Sequence, residues 1–403
     1  MINATAVLPC DVTWDTFVET DAGRNALSCI QCGMCAGTCP YGDAMDYPPR
    51  RLIAMWQAGL VDQVIRSQSL LLCVTCYACA AKCPRGIQLT QLLLPLVKAL
   101  AFEAMPEVPA ELQKALMNTL RYGNPMGESP RKRAQWADGA GVPVRVLPLD
   151  PKPVDVLWFV ECYPSYHPRG IDNARATARV FHRLGVDFGI LGPEEKCTGE
   201  CARLAGEVGL FDALEEQNLK ALSRCSFRRL VTTGAHAYDA FKHQYSCRGF
   251  ARPVDHTVTF LAERLTEVKP LLHKKLNHVV TYHDSCTLGR HNGIFDQPRA
   301  LLRAIPGVKL VEMVHYREGS LCCGGGGGGM WLDTYYKAKG LERLSERRVR
   351  EAVAAGADVL AVSCPYEVSR FEDALKVLGY DQRMIVRDVT ELLDESMGGM
   401  QSL

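Results

Sequence analysis

The stretches CIQCGMCAGTCP (residues 29–40) and CVTCYACAAKCP (residues 73–84) repeat one pattern, C-x2-C-x2-C-x3-C-P. Together they take eight of the chain's eighteen cysteines. Spacers this short return three thiolates of a loop to one point, and the fourth, on the following turn, ligates the other loop's cluster. The spacing therefore predicts one [4Fe–4S] cluster on Cys29, Cys32, Cys35 and Cys83, and a second on Cys73, Cys76, Cys79 and Cys39. Structural zinc pairs two C-x2-C knuckles and does not run four cysteines into a proline. A chain with these loops carries electrons.

Between the loops lies PPRRLIAMWQAGLVDQVIRS (48–67), apolar at Leu52, Ile53, Met55, Trp56 and Leu60. Pro48-Pro49 suits a helix start and Gly59 a stop, which predicts helix, break, short helix. Residues 90–103 also look helical, with a kink expected at Pro95. Residues 1–105 thus read as a helical two-cluster ferredoxin-type module, and the polar, Pro/Gly-rich 106–152 as a connector.

Beyond residue 152 the pattern alternates and repeats. Buried-strand runs at 154–160 and 278–282 each lead into a cysteine, Cys162 and Cys286. Each is followed by a helical stretch (172–184; 297–305), a strand (186–191; 308–311), a second cysteine site (Cys197; Cys322-Cys323) and a further strand (229–233; 358–363). The first and second cysteine sites are 35 residues apart in one copy and 36 in the other. Alternating strands and helices imply parallel α/β layers, and the matched order implies a duplicated unit. Ligands of open α/β sheets bind at the strand ends, where these cysteines fall. The fold class expected is α+β multidomain: a helical two-cluster module, then α/β units at 153–275 and 276–403.

Composition bounds the partners. The 403 residues carry 46 Lys and Arg against 45 Asp and Glu, so no global field attracts nucleic acid or an anionic membrane. The basic runs at 50–51, 131–133, 274–275 and 347–348 are scattered and read as solvated faces. The start MINATAVLPCDVTWD lacks a basic n-region and an apolar h-region, and no stretch suits a direct membrane span. Eighteen cysteines without a signal suit a reducing cytoplasm, with membrane association through a partner subunit only.

Cys286, Cys322, Cys323 and Cys364 form the second constellation. Adjacent side chains on extended backbone diverge, so Cys322 and Cys323 meet one cluster only on a sharply turned loop. The six glycines 324–329 permit that turn. Gly324, Gly325 and Gly326 are the expected cofactor-binding glycines, their backbone close to the inorganic core and their amides hydrogen-bonding its sulfide. His283-Asp284 beside Cys286 would suit proton shuttling. Cys162, Cys197 and Cys201, with His167 or His236, suit zinc, or are small buried hydrophobes left from a lost site. Cys10, Cys225 and Cys247 read as structural.

HDSCTLGRHNGIFDQPR (283–299), SLCCGGGGGGMW (320–331) and SCPYEVSRFED (363–373) resemble the cysteine-rich CCG domain of heterodisulfide reductase. ECYPSYHPRG (161–170), EEKCTGE (194–200) and TTGAHAYDAFK (232–242) look like a degenerate copy of that domain. The order resembles the form of that enzyme in which the ferredoxin-like and CCG-domain subunits are fused into one polypeptide. It also resembles relatives in quinone-linked and flavoprotein-linked complexes and, more loosely, subunits of glycolate and glycerol-3-phosphate oxidising enzymes. An intact domain of the family offers C…CC…C-x2-C, five thiolates around a noncubane cluster. Here the last pair reads Cys364-Pro365-Tyr366-Glu367, with Glu367 in place of the fifth thiolate. The first copy has Lys196 where the double cysteine would begin, and Gly234 and Ala237 at its terminal pair. The resemblance implies one C-terminal cluster, cubane or noncubane, at Cys286, Cys322, Cys323 and Cys364, with Glu367 an oxygen ligand or an open position.

The leading expectation is an electron-transferring, catalytic subunit of a heterodisulfide reductase-like oxidoreductase complex, with the C-terminal site as its reactive end. Its partner would be a flavoprotein, such as that enzyme's flavin subunit or an electron-transfer flavoprotein, or a membrane cytochrome b. No G-x-G-x-x-G fingerprint lies between a strand and a helix, so flavin or nicotinamide belongs to the partner. The alternatives are a non-catalytic relay for a flavin-dependent 2-hydroxy-acid or glycerol-3-phosphate dehydrogenase, and a zinc-stabilised scaffold. Brown colour bleached by dithionite separates the first two from the third.

Overall fold

The computed structural model describes residues 15, 18–105, 107–147 and 152–399. Cys10 and nearly all of the N-terminal stretch lie outside the described residues. Short helices build the first unit: Asp21–Leu27, Met34–Gly37, Pro49–Gln57, Val61–Ile65, Ser69–Leu72 and Ala78–Ala81, then Leu94–Ala104. Pro48 caps Pro49–Gln57 with extended backbone, and Pro49 occupies the first turn, where no partner for an N–H is needed. Leu52, Ile53 and Trp56 face inward from this helix onto Val64, Leu70, Leu93 and Val97. Gly59, at φ 72°, turns the chain into Val61–Ile65. Pro95 does not kink a longer helix. It sits in the first turn of Leu94–Ala104, and Leu89–Leu93 before it winds as a wide π turn, so the ring meets no preceding α-helical carbonyl.

Two parallel sheets follow. The first contains β1 (Arg145–Val146), β2 (Val154–Phe159), β3 (Phe188–Ile190), β4 (Phe227–Thr232) and β5 (Val254–His256), ordered β1-β3-β2-β4-β5. The second contains β6 (Val279–Tyr282), β7 (Lys309–Val311), β8 (Val359–Val362) and β9 (Ile385–Asp388), ordered β7-β6-β8-β9. Leaving out β1, the orders coincide, which is the expected duplication. β2 pairs on both sides, Val156 with Phe188 and Leu157 with Leu230, and β6 does the same through Leu310 and Leu360. Covered on both faces, such strands read as continuous apolar runs.

Residues 107–147 are more ordered than their composition suggests. They contain the helix Ala110–Tyr122, which buries Leu112, Ala115 and Leu116, and they supply β1. The two α/β units share one core in which Val156, Trp158 and Phe181 join Val280, Leu301 and Leu392. Across the seam, Arg179 and Arg183 hold Asp394 at 2.7 and 2.6 Å. Of the strand-end cysteines, Cys322 lies beside Cys76 of the first unit, whereas Cys162 and Cys197 lie against Gly123 of the 107–147 stretch.

Candidate functional site

The two N-terminal loops have the same backbone. Gln31 and Gly33 in the first, and Thr75 and Tyr77 at matching places in the second, are all left-handed, with φ of 59°, 85°, 46° and 60°. Each reversal returns the next cysteine to the same side. Cys29, Cys32, Cys35 and Cys83 line one cavity with Ile53 and Ile87, and Cys79 borders it as well. Cys39, Cys73, Cys76 and Cys79 line another with Met45, Leu72 and Thr90. Burial, then the charges of Cys29 and Cys83, pushes the Cys35 thiol up to about 11. Burial, then Cys76 and Cys73, pushes Cys39 up to about 12. Converging thiols, most of them partly buried and Cys32 exposed, that repel one another once ionised are a donor set that bound iron would satisfy.

In the C-terminal unit Cys286 Sγ lies 3.6 Å from Cys322 Sγ, and the Gly324 amide donates to Cys322 Sγ at 3.2 Å. Gly324 is left-handed, at φ 81°. The buried Arg370 fixes the turn by donating to the Cys323 carbonyl at 2.7 Å. Gly325 also borders Cys323, whereas Gly326 lies against the Val74 carbonyl of the second N-terminal loop. The site is therefore walled partly by the ferredoxin-type unit.

His283, Cys323 and Glu367 cluster, their ligand atoms all within 4.8 Å of one another and all three buried. Arg348 Nε donates to His283 Nδ1 at 3.1 Å, so Nε2 carries the proton and faces Glu367 Oε1 at 3.3 Å. Burial lifts the Glu367 carboxyl to about 7. Its Oε2 is buried with no hydrogen-bond partner among the described residues. Asp284 is not available as a shuttle, because Arg299 grips both its oxygens at 2.7 and 2.8 Å. Cys364 caps the helix Pro365–Leu378, where burial and then the charges of Glu367 and Glu161 push its thiol up.

The first copy is filled by ions. Arg133, completely buried, donates to Cys162 Sγ at 3.3 Å and to Glu195 Oε1 at 2.8 Å. A β-carbon added at Gly234 would fall 2.4 Å from Glu161 Oε2, so a carboxylate occupies the space of a lost thiolate. Cys197 lies beside Cys162, and Cys201 is near enough to repel it. His167 instead caps Pro168–Arg183 and stacks on Tyr163, and His236 Nδ1 has no partner among the described residues. Cys225 and Cys247 donate to the Ala221 and His243 carbonyls. Arg133 escapes a sequence reading because nothing local marks it; its partners lie 29 and 62 residues away.

The second N-terminal loop and the C-terminal site meet at one junction. Cys76 is within hydrogen-bonding reach of Cys322, and Arg290 Nε donates to the Cys76 carbonyl at 2.8 Å. The buried Lys98 ammonium bridges the carbonyls of Cys73 (2.7 Å) and Gly327 (3.2 Å). Neither Lys98 nor Arg290 carries a sequence signal. Among the described residues no helix is long and apolar enough to cross a membrane.

Residues 28–88 match the family described as a 4Fe-4S dicluster domain, and residues 156–237 and 280–366 each match the cysteine-rich domain. A probable iron–sulfur-binding oxidoreductase, FadF, of Bacillus subtilis is 34% identical over 297 residues, 73% of this chain and 42% of the relative. An EtfAB:quinone oxidoreductase of Syntrophomonas wolfei is 33% identical over 72% of this chain and 41% of its own. The chain thus spans about two fifths of the length of these two relatives. One subunit of the dihydromethanophenazine:CoB–CoM heterodisulfide reductase from Methanosarcina mazei is 36% identical over 69% of this chain and 66% of its own. With both domain types matched and relatives named as oxidoreductases, the chain belongs to the CCG-domain superfamily, as an iron–sulfur protein of the heterodisulfide reductase type.

Proposed function

We propose that this protein is the electron-transferring subunit of a heterodisulfide reductase-like complex, exchanging electrons between a redox partner and a reactive site at Cys286, Cys322, Cys323 and Cys364. The observation that carries the reading is the junction: Cys76 reaches Cys322, with Arg290 and Lys98 clamping the two loops. Cys29, Cys32, Cys35 and Cys83 would hold one [4Fe–4S], Cys73, Cys76, Cys79 and Cys39 a second, and the C-terminal set a third. When bound, these groups supply one-electron acceptor and donor chemistry. The chain's part is to keep the C-terminal thiolates dry, to direct the Gly324 amide and the Arg290 charge at the junction, and to hold a proton between His283 Nε2 and Glu367. The division proposed is 1–105, 106–152, 153–275 and 276–403. The name of the Syntrophomonas relative favours an electron-transfer flavoprotein or a quinone as the partner's chemistry.

Iron and sulfide analysis of anaerobically purified protein tests the reading, with about twelve irons per chain expected. About eight would remove the C-terminal site from the scheme. About sixteen would mean that the first copy also binds a cluster despite Arg133 and Glu161.

Glu367→Cys tests the reactive end. Exchanging an oxygen donor for a thiolate beside Cys323 should alter the paramagnetic resonance signal of the C-terminal site and change turnover severalfold. The two N-terminal signals should stay as they are. An unchanged C-terminal signal with unchanged turnover would make Glu367 a bystander and the chain a plain relay.

A further inference from the structure

Asp239, His243 and His291 converge at a place that none of the cysteine sets uses. Asp239 and His243 lie one helical turn apart in the first α/β unit, on Ala235–Asp239 and the π turn Ala240–Gln244 that continues it. His291 comes from the other unit, at the end of the turn that follows Cys286. His291 Nε2 is 3.2 Å from Asp239 Oδ1, and His243 Nε2 is 3.8 Å from the same oxygen. The three ligand atoms all lie within 4.8 Å of one another. Zinc bonds to nitrogen and oxygen of about 2.0–2.1 Å, in a tetrahedron, set neighbouring ligand atoms about 3.3 Å apart. The separations from Oδ1 bracket that value, so little movement would complete the sphere.

The charges fit as well. Asp239 is 2% exposed, and among the described residues no lysine or arginine forms an ion pair with it. Its neighbours are committed elsewhere: Arg203 to Glu200 through two hydrogen bonds, and Lys242 to the Tyr238 hydroxyl. Asp239 is left facing two imidazoles and the Asn292 amide, which donates to Oδ1 at 2.9 Å, with no cation paired to it among the described residues. Asn292 Oδ1 also faces His243 Nε2 at 2.9 Å. The ring of Tyr77, between Cys76 and Cys79, stacks on His291 with centroids 4.4 Å apart and closes one side. Both histidine side chains keep about a tenth of their surface exposed, which leaves an approach for a fourth ligand such as water.

We propose that Asp239, His243 and His291 bind one divalent cation of the zinc class, with water completing the shell. Two imidazoles and a carboxylate suit zinc better than magnesium or calcium, which prefer all-oxygen shells. The ion would tie both α/β units together and, through Tyr77, fix the second N-terminal cysteine loop against them. This assignment is independent of the function proposed above and of the thiols of the first copy.

The test uses the full chain reconstituted with iron and sulfide, so that the cluster thiols are occupied, then dialysed against zinc and desalted. About one zinc per chain should remain, and zinc-edge X-ray absorption should show nitrogen and oxygen at about 2.0–2.1 Å without sulfur at about 2.3 Å. Asp239→Asn and His243→Gln should each weaken zinc binding at least about tenfold with iron content unchanged. Cys162→Ser should leave the zinc in place. A sulfur shell, zinc retained in both site variants, or no zinc bound at micromolar concentration by fully iron-loaded wild type would each overturn the proposal. The absorption measurement on wild type decides the matter even if a variant fails to fold.

Discussion

Cys76→Ser should produce the largest loss of any single thiol substitution: about four of twelve irons gone, and electron flow to the C-terminal site reduced at least about a hundredfold. Two roles meet in this residue. It is one of four thiols lining the second N-terminal cavity, and its Sγ is the group that reaches Cys322. Serine removes the soft donor and shortens that reach. Folding should suffer too. The first unit has a small apolar core, against which Cys73, Cys79 and their neighbours pack, and metal binding by such a module is folding free energy. Cys225→Ser is the matching control, since that thiol only donates to the Ala221 carbonyl at a half-buried site. Iron analysis, thermal unfolding and dithionite-reduced resonance spectra read the outcome. If Cys76→Ser kept wild-type iron and turnover, the assignment of the second loop would fall.

Much of this architecture is legible because its signals are local. The C-x2-C-x2-C-x3-C-P runs need only a loop that reverses at fixed steps, and Gln31, Gly33, Thr75 and Tyr77 provide those steps. β2 and β6 can be read because parallel strands covered on both faces carry nearly continuous apolar runs, VDVLWF, interrupted only by the exposed Asp155, and VVTY. What stays hidden depends on distant partners. β1 is two residues long and has meaning only as an edge beside β3. The helix Ala110–Tyr122 is lost among the prolines and glycines around it, although Leu112, Ala115, Leu116 and Thr119 mark its inner face. Arg133, Lys98 and Arg290 look like ordinary surface cations until their partners 62, 229 and 214 residues away are in place. Asp284 looks available beside Cys286 because nothing nearby in sequence announces Arg299's grip.

Besides bordering Cys323, the glycine run lets two units touch, and Gly326→Ala should expose that second role. A β-carbon at residue 326 would fall 2.5 Å from the Val74 carbonyl oxygen and 2.8 Å from Thr75 Oγ1. The first is backbone, held in the loop between Cys73 and Cys76, and it cannot swing away as a flexible side chain would. The backbone of Gly326 is not left-handed, so alanine adds no conformational strain there and the cost is purely steric. Gly327, at φ 60° and with the Cys73 carbonyl 2.4 Å from its would-be β-carbon, carries both penalties and is the less informative site. Overpacking of this kind costs about 1–3 kcal/mol. Relief lies in parting the loops, which breaks the Lys98 bridge to Gly327 and carries Cys76 away from Cys322. Iron content should stay at wild-type level, because no thiol is removed, while the rate at which the C-terminal signal is reduced through the N-terminal sites should fall at least about tenfold. Gly319→Ala, in open space, is the control and should change neither rate nor stability. If Gly326→Ala matched Gly319→Ala in reduction rate and melting temperature, the junction could not be the route by which electrons cross this protein.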